Sequence, residues 1–214
     1  MDRVNIGCGQ TPTAGWKNFD NSLSVRLAQW PLLVSALKKM RGLNKGQQEF
    51  IGFAEKHQIG YADAVRHIPL RDQSVEVLYT SHMLEHLSEA EVGVFLRESQ
   101  RVLCPGGIIR IVVPDLKWLV EQYVTSGDAD EFIRETLLSA PMPRSFLARI
   151  KYFLAGQRNH QWMYDSTSLC RVLATASFSD PRVMEAGTTR ISNPGALDLS
   201  ERSPGSVYVE AVNL

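Results

Sequence analysis

Apolar positions along the chain switch between short β-like runs and stretches of helical spacing, which predicts an α/β layered sheet rather than an all-α or all-β fold. Arg3 to Ile6 and Trp16 to Asp20 read as the first two strands. About ten residues separate them, too few for the usual helix between parallel strands, so a loop or a turn of helix has to make the crossing. From Asn21 to Gly60 the pattern is helical. Leu33, Leu37 and Met40 share one spacing, Lys38, Lys39 and Arg41 sit near that helix's C-terminal end, and Gly42, Gly46 and Gly52 are breaks. A short strand over Ile59 to Ala62 ends at Asp63, and the loop Ile68 to Ser74 leads into a strand over Val75 to Tyr79.

Ser88-Glu89-Ala90-Glu91 is a capping box, in which the serine hydroxyl and the Glu91 carboxylate each satisfy an orphan amide of a first helical turn. The helix it opens carries Val92, Phe95, Leu96, Val102 and Leu103 on one face and is expected to stop at Pro105-Gly106-Gly107. Ile108 to Val113 is apolar and β-branched apart from Arg110, the pattern of a strand covered on both faces. Helices are expected over Asp115 to Tyr123 and Asp130 to Leu138, and another is capped by Asp165 or Ser166 and carries Leu169, Val172 and Leu173. Ser206 to Val212 alternates and is rich in valine, so it reads as a closing strand, while Thr188 to Pro204 is irregular. With no repeat or linker in view, residues 1–214 read as a single domain, in which 21–60 and 116–159 are helical insertions forming a lid.

Composition narrows the function classes. The formal net charge is +0 with 21% charged residues, so bulk electrostatics point to no nucleic-acid partner. Cys8, Cys104 and Cys170 are an odd set without metal-ligand spacing and read as reduced thiols. No signal segment is visible, and no apolar run approaches the roughly 20 residues of a spanning helix. The expectation is a soluble, cytoplasmic protein.

The candidate chemistry begins at Val4-Asn5-Ile6-Gly7-Cys8-Gly9, a strand running into a glycine-bracketed turn that lets backbone come close to a ligand. Asp20 closes the next strand, where nucleoside-binding α/β folds place a carboxylate on ribose hydroxyls; it can equally cap a turn. Asp63 is open in the same way, between turn capping and base recognition. His82 and Glu85-His86 lie at a strand-to-helix junction, where a histidine is either a structural hydrogen-bonder or a base. Asp115 either caps the helix at Leu116 or meets a ligand at a strand end, and His160 is either an exposed loop residue or part of a flap over the site. No group of acids and histidines has metal-ligand spacing, so no metal is expected.

Several segments together resemble the class I S-adenosylmethionine-dependent methyltransferases, most closely a branch of small bacterial proteins associated with surface-polysaccharide genes. They are Val4 to Gly9, Gly15-Trp16-Lys17-Asn18-Phe19-Asp20, Ala62-Asp63, Ile68 to Glu76, Ser81-His82-Met83-Leu84-Glu85-His86-Leu87, Leu103-Cys104-Pro105-Gly106-Gly107, Trp162-Met163-Tyr164-Asp165 and Val207 to Ala211. The resemblance implies a Rossmann-like, seven-stranded, mostly parallel sheet whose last strand is antiparallel, with S-adenosylmethionine as cofactor. It places Gly7 and Gly9 against the methionine part, Asp20 on the ribose, Asp63 with Ala64 at the adenine, and Ser81 and His82 between cofactor and acceptor. Asn5 stands where many such enzymes carry an acid.

The implied reaction is methylation of a small-molecule or glycan acceptor, with a hydroxyl as the expected acceptor group and His82, Asp115 or His160 as its base. The alternative is a module of the same fold that binds without turnover. A nicotinamide oxidoreductase is disfavoured, because Gly-x-Gly-x-x-Gly followed by a helix is missing. Phe146, Leu147, Ile150, Phe153 and Leu154 form an apolar stripe beside Arg144, Arg149, Lys151 and Arg158. That stripe could touch an anionic membrane surface, although packing on the protein body is favoured.

Overall fold

Seven segments pair into one sheet: β1 (Asp2–Ile6), β2 (Lys17–Asp20), β3 (Gly60–Tyr61), β4 (Val75–Ser81), β5 (Leu103–Pro114), β6 (Ser179–Met184) and β7 (Ser206–Val212). Their spatial order is β3-β2-β1-β4-β5-β7-β6. The pairs from β3 to β5 are parallel, and β7 runs antiparallel to both β5 and β6. The structure is a computed structural model that describes residues 1–40, 42–138 and 159–214. The helices among these residues are α1 (Leu23–Ala28), α2 (Pro31–Lys39), α3 (Lys45–Lys56), α4 (Glu89–Val102), α5 (Leu116–Ser126), α6 (Ala129–Thr136) and α7 (Ser166–Thr175). This is the expected Rossmann-like architecture. The stripe from Phe146 to Leu154 and its basic neighbours, like Arg41, lie outside the described residues.

Two buried asparagines do the work of the missing first crossover helix. Asn5 Nδ2 donates to the Thr11 carbonyl and to Thr13 Oγ1, each at 3.1 Å. Asn18 Oδ1 accepts from the Thr13 amide at 2.7 Å, while its Nδ2 donates to the Thr13 and Trp16 carbonyls at 3.0 and 2.9 Å. An acid at position 5 could not donate in this way, so the asparagine and the short loop belong together.

The two faces of the sheet are covered differently. On one, Val4, Ile6, Leu78, Ile109, Ile111 and Val209 pack with Phe95 and Leu96 of α4 and Leu169 and Leu173 of α7. On the other, Val77, Tyr79, Val112 and Tyr208 meet Ile191 and Leu197 from the irregular stretch before β7. That stretch is pinned by the one charge in the Ile108–Val113 run. Arg110 is fully buried, bonds Glu210 at 2.6 Å and donates to the Thr188 and Leu199 carbonyls. Cys8, Val25, Ala54 and Ile59 form a separate cluster that seats α1 and α3 beside β3.

Two expectations need correction. The α4 helix ends at Val102, and Leu103 to Gly107 already belong to β5, whose register against β4 shifts there. A Cβ on Gly107 would lie 2.9 Å from the Cys104 carbonyl oxygen, so the glycine is needed for a bulged strand rather than a helix stop. β6 adds a strand that the apolar pattern did not predict, with Pro181 inside it. As an edge strand paired only with β7, it tolerates a proline that a central strand would reject. No helix of the described residues is long and apolar enough to cross a membrane.

Candidate active site

The strand order reverses between β1 and β4, and open α/β sheets bind ligands in the crevice at such a point. A cleft of about 490 Å³ lies there, lined by Gly7 and Gly9 after β1, Asp20 at the end of β2, Asp63 and Ala64 after β3, and His82 and Met83 after β4. Leu23 and Arg26 of α1 and Phe50 of α3 line it as well, and no described residue between 116 and 159 does. A larger cavity, about 660 Å³, lies between the loop 10–18 and His57 and includes no residue of β4, so it misses the switch point.

Gly7 and Gly9 have φ of 72° and 49°, conformations that a side chain resists. A Cβ on Gly7 would meet Met83 Sδ at 3.0 Å, whereas one on Gly9 would meet no described atom within 4 Å. Gly9 therefore presents bare backbone to the open cleft. Between them the Cys8 thiol is pushed up to about 12, by burial first and then by the Asp20 charge, which leaves it protonated and inert.

Asp20 is held on both oxygens. Its Oδ2 accepts from the Gly9 amide at 3.2 Å and its Oδ1 from the Ser22 amide at 2.8 Å. A carboxylate has more acceptor sites than these two bonds use, so the turn-capping role orients Asp20 without exhausting it. Asp63 Oδ2 lies 3.3 Å from Arg66 Nε, while its Oδ1 is buried with no hydrogen-bond partner among the described residues. Ala64 is buried beside it. Ser81 closes β4 but does not line the cleft.

At the other end of the cleft, histidines gather around a carboxylate. His82 follows β4 with φ 51°, a left-handed conformation that is costly for a non-glycine residue. Its Nε2 lies 3.1 Å from Ser206 Oγ and its Nδ1 3.4 Å from Glu85 Oε1. Glu85 belongs to a single 3₁₀ turn, Leu84–His86, and is fully buried. His86 Nε2 and His160 Nε2 approach the same Oε1 at 4.0 and 3.9 Å. His160 is buried rather than an exposed loop residue; its Nδ1 lies 2.8 Å from the Thr136 carbonyl, and burial lowers its pKa below the usual histidine range. The ligand atoms of Glu85, His86 and His160 all lie within 4.8 Å of one another, so the fold builds a cluster that sequence spacing gave no reason to expect. Asp115 instead serves as N-cap of α5, its Oδ1 accepting from the Lys117 amide at 2.9 Å, and it does not line the cleft.

A sequence profile of the methyltransferase domain family matches residues 4–111, half of the chain. The chain belongs to this family. The matched segment holds the glycine turn, Asp20, Asp63 and the junction from His82 to His86. Solved structures agree on the methyltransferase fold. An S-adenosylmethionine-dependent enzyme from Thermotoga maritima, a possible histamine N-methyltransferase, has a TM-score of 0.56 at 13% identity, covering 100% of this chain and 82% of its own. One from Methanosarcina mazei has a TM-score of 0.52 at 15% identity, covering 100% of this chain and 92% of its own. No curated protein matches the chain. S-adenosylmethionine is the cofactor of this methyltransferase. The cleft suits it: backbone is bare at Gly9, the Asp20 carboxylate is pre-oriented, and a buried oxygen of Asp63 waits for a donor.

Proposed function

We propose that this methyltransferase acts on an oxygen of a small, hydroxyl-bearing acceptor, with carbohydrates as the leading class. The observation that carries the reading is a single cleft with nucleoside-type acceptors at one end and imidazoles at the other. Bound S-adenosylmethionine supplies an activated methyl group on a sulfonium, so the chain's task is to align donor and acceptor and exclude water. In this reading Gly7 and Gly9 admit the methionine portion, Asp20 takes the ribose hydroxyls, and Asp63 Oδ1 takes the adenine amino group with Ala64 against the ring. Ser81 acts through the end of β4, which sets the position of His82.

The acceptor hydroxyl then lies toward His82, which lines the cleft and whose strained backbone fixes its ring, with His160 behind it. His82 is the group best placed to take the hydroxyl proton as oxygen bonds to the methyl carbon and the thioether leaves. A role in surface-polysaccharide synthesis in the cytoplasm fits this acceptor class and the chain's free cysteines. Calorimetric titration with S-adenosylhomocysteine, followed by transfer of labelled methyl to a panel of sugars, amines and carboxylates, tests the reading. Label on a sugar oxygen, lost in His82→Ala, is expected; label only on nitrogen would overturn the acceptor class.

A further inference from the structure

We propose that Glu85, His86 and His160 bind a divalent first-row transition metal ion at the acceptor end of the cleft. The proposal deepens the reading above and rests on it only for the ion's use beside the acceptor, not for the binding itself.

The hydrogen bond at Thr136 fixes where one lone pair points. The Thr136 carbonyl can only accept, so His160 carries its proton on Nδ1 and leaves a lone pair on Nε2. His160 Nε2 and His86 Nε2 stand 3.9 and 4.0 Å from Glu85 Oε1. Neither oxygen of Glu85 has a hydrogen-bond partner among the described residues, and its side chain is 1% exposed. The free nitrogen of His160, the His86 ring and a carboxylate without a hydrogen-bond partner therefore gather within 4.8 Å of one another.

Such an arrangement is costly in a dry site unless a cation joins it. A metal ion fits. Ligands about 2.0–2.2 Å from a tetrahedral ion stand roughly 3.4 Å apart, so ligand atoms that now lie within 4.8 Å of one another would draw together by at most about 1.4 Å to close the site. The contact between His160 Nδ1 and the Thr136 carbonyl is the kind that orients a metal-bound histidine. A donor set dominated by imidazole selects zinc, cobalt or their neighbours over magnesium and calcium, which prefer oxygen. His82 and His86 line the cleft, so the ion has a route in and an open side toward an acceptor oxygen.

The test is metal binding to the full chain after dialysis against chelator. Calorimetry with zinc should give one site per chain, and cobalt should develop visible ligand-field bands of nitrogen and oxygen coordination. Glu85→Gln and His160→Ala should each weaken binding at least tenfold. His86→Gln, at a half-exposed position, repeats the test should either buried variant fail to fold. S-adenosylhomocysteine titration of the same samples separates the two readings, since loss of nucleoside binding leaves the metal result standing. Absence of zinc and cobalt binding in the wild type, uptake of magnesium alone, or undiminished affinity in folded Glu85→Gln would overturn the proposal.

Discussion

Glu210 and Glu85 are both fully withdrawn from solvent. Glu210 receives the Arg110 guanidinium at 2.6 Å, the Thr189 hydroxyl at 2.5 Å and the Arg190 amide at 2.8 Å. Glu85 receives no hydrogen bond on either oxygen from the described residues. The first carboxylate is consumed by the fold, tying β5 and β7 to the irregular stretch over them. The second is held in place by backbone, its carbonyl taking the Gln161 amide at 2.7 Å, while its charge is left for something else. The Glu210 carboxylate is satisfied by the chain and belongs to the fold, whereas the two orphaned oxygens of Glu85 call for a separate explanation.

The sharpest way to break that comparison is to remove the partner in one case and the charge in the other. Arg110→Met strands Glu210 in the core and should cost about 3–5 kcal/mol in denaturant unfolding. Glu85→Gln removes a carboxylate without a partner, so the metal-free protein should lose less than about 1 kcal/mol or gain stability. Equal destabilisation of the two variants in urea melts would end the distinction.

Glu98 extends the consumed class to a place where pH can read it. It takes Arg101 Nε and Nη2 at 2.9 and 2.7 Å and the Ile68 amide at 2.9 Å, which fastens α4 to the loop before β4. The Arg101 hydrogen bonds, ahead of the opposing effect of burial, lower its pKa from 4.5 to about 2. A carboxylate depressed on folding contributes stability that is complete above the unfolded value and is lost as pH falls through the folded one. Acid melts should therefore lose up to about 3 kcal/mol between roughly pH 4.5 and 2, and Glu98→Gln should flatten that limb. A limb unchanged in the variant would show that Glu98 is not among its causes.

Asp20 stands between the two classes, with one chain donor on each oxygen. Asp20→Ala should weaken S-adenosylhomocysteine by about 1.5–3 kcal/mol, roughly ten- to a hundredfold, through loss of charge-assisted bonds. Its fold should survive, because the Gly9 and Ser22 amides lie beside the cleft. Unchanged affinity in calorimetry would remove Asp20 from the ribose.

What the sequence made legible was local. Gly7, Gly9, Asp20, Asp63 and His82 each end or follow a strand, and a strand-to-turn junction is visible within a few residues; all line the one cleft. What it hid depends on long-range return of the chain. His160 reaches Glu85 from far downstream, and no spacing rule links it to the Glu85-His86 pair. The burial of Glu85 is equally silent, because a short turn behind β4 shows no helical face. Asp115 carried both a cap signature and a strand-end position, and the structure displays the cap. The early end of α4 was obscured by Leu103, which suits a helix face and a strand equally.

Asp63 gives the smallest and most specific expected effect. Its Oδ1 is unsatisfied by the described chain while its Oδ2 has only the exposed Arg66 nearby, so the fold draws little from its charge. Asp63→Asn keeps the shape and weakens the acceptor, and binding of S-adenosylhomocysteine should fall severalfold, about 1 kcal/mol, with the melting curve unmoved. The analogue bearing inosine in place of adenosine lacks the exocyclic amino group that Asp63 is proposed to receive. It should bind wild type and Asp63→Asn alike, so the two changes together should cost no more than either alone. Simple additivity would mean that Asp63 and the amino group act independently, and the orphaned oxygen would then need another ligand atom to explain it.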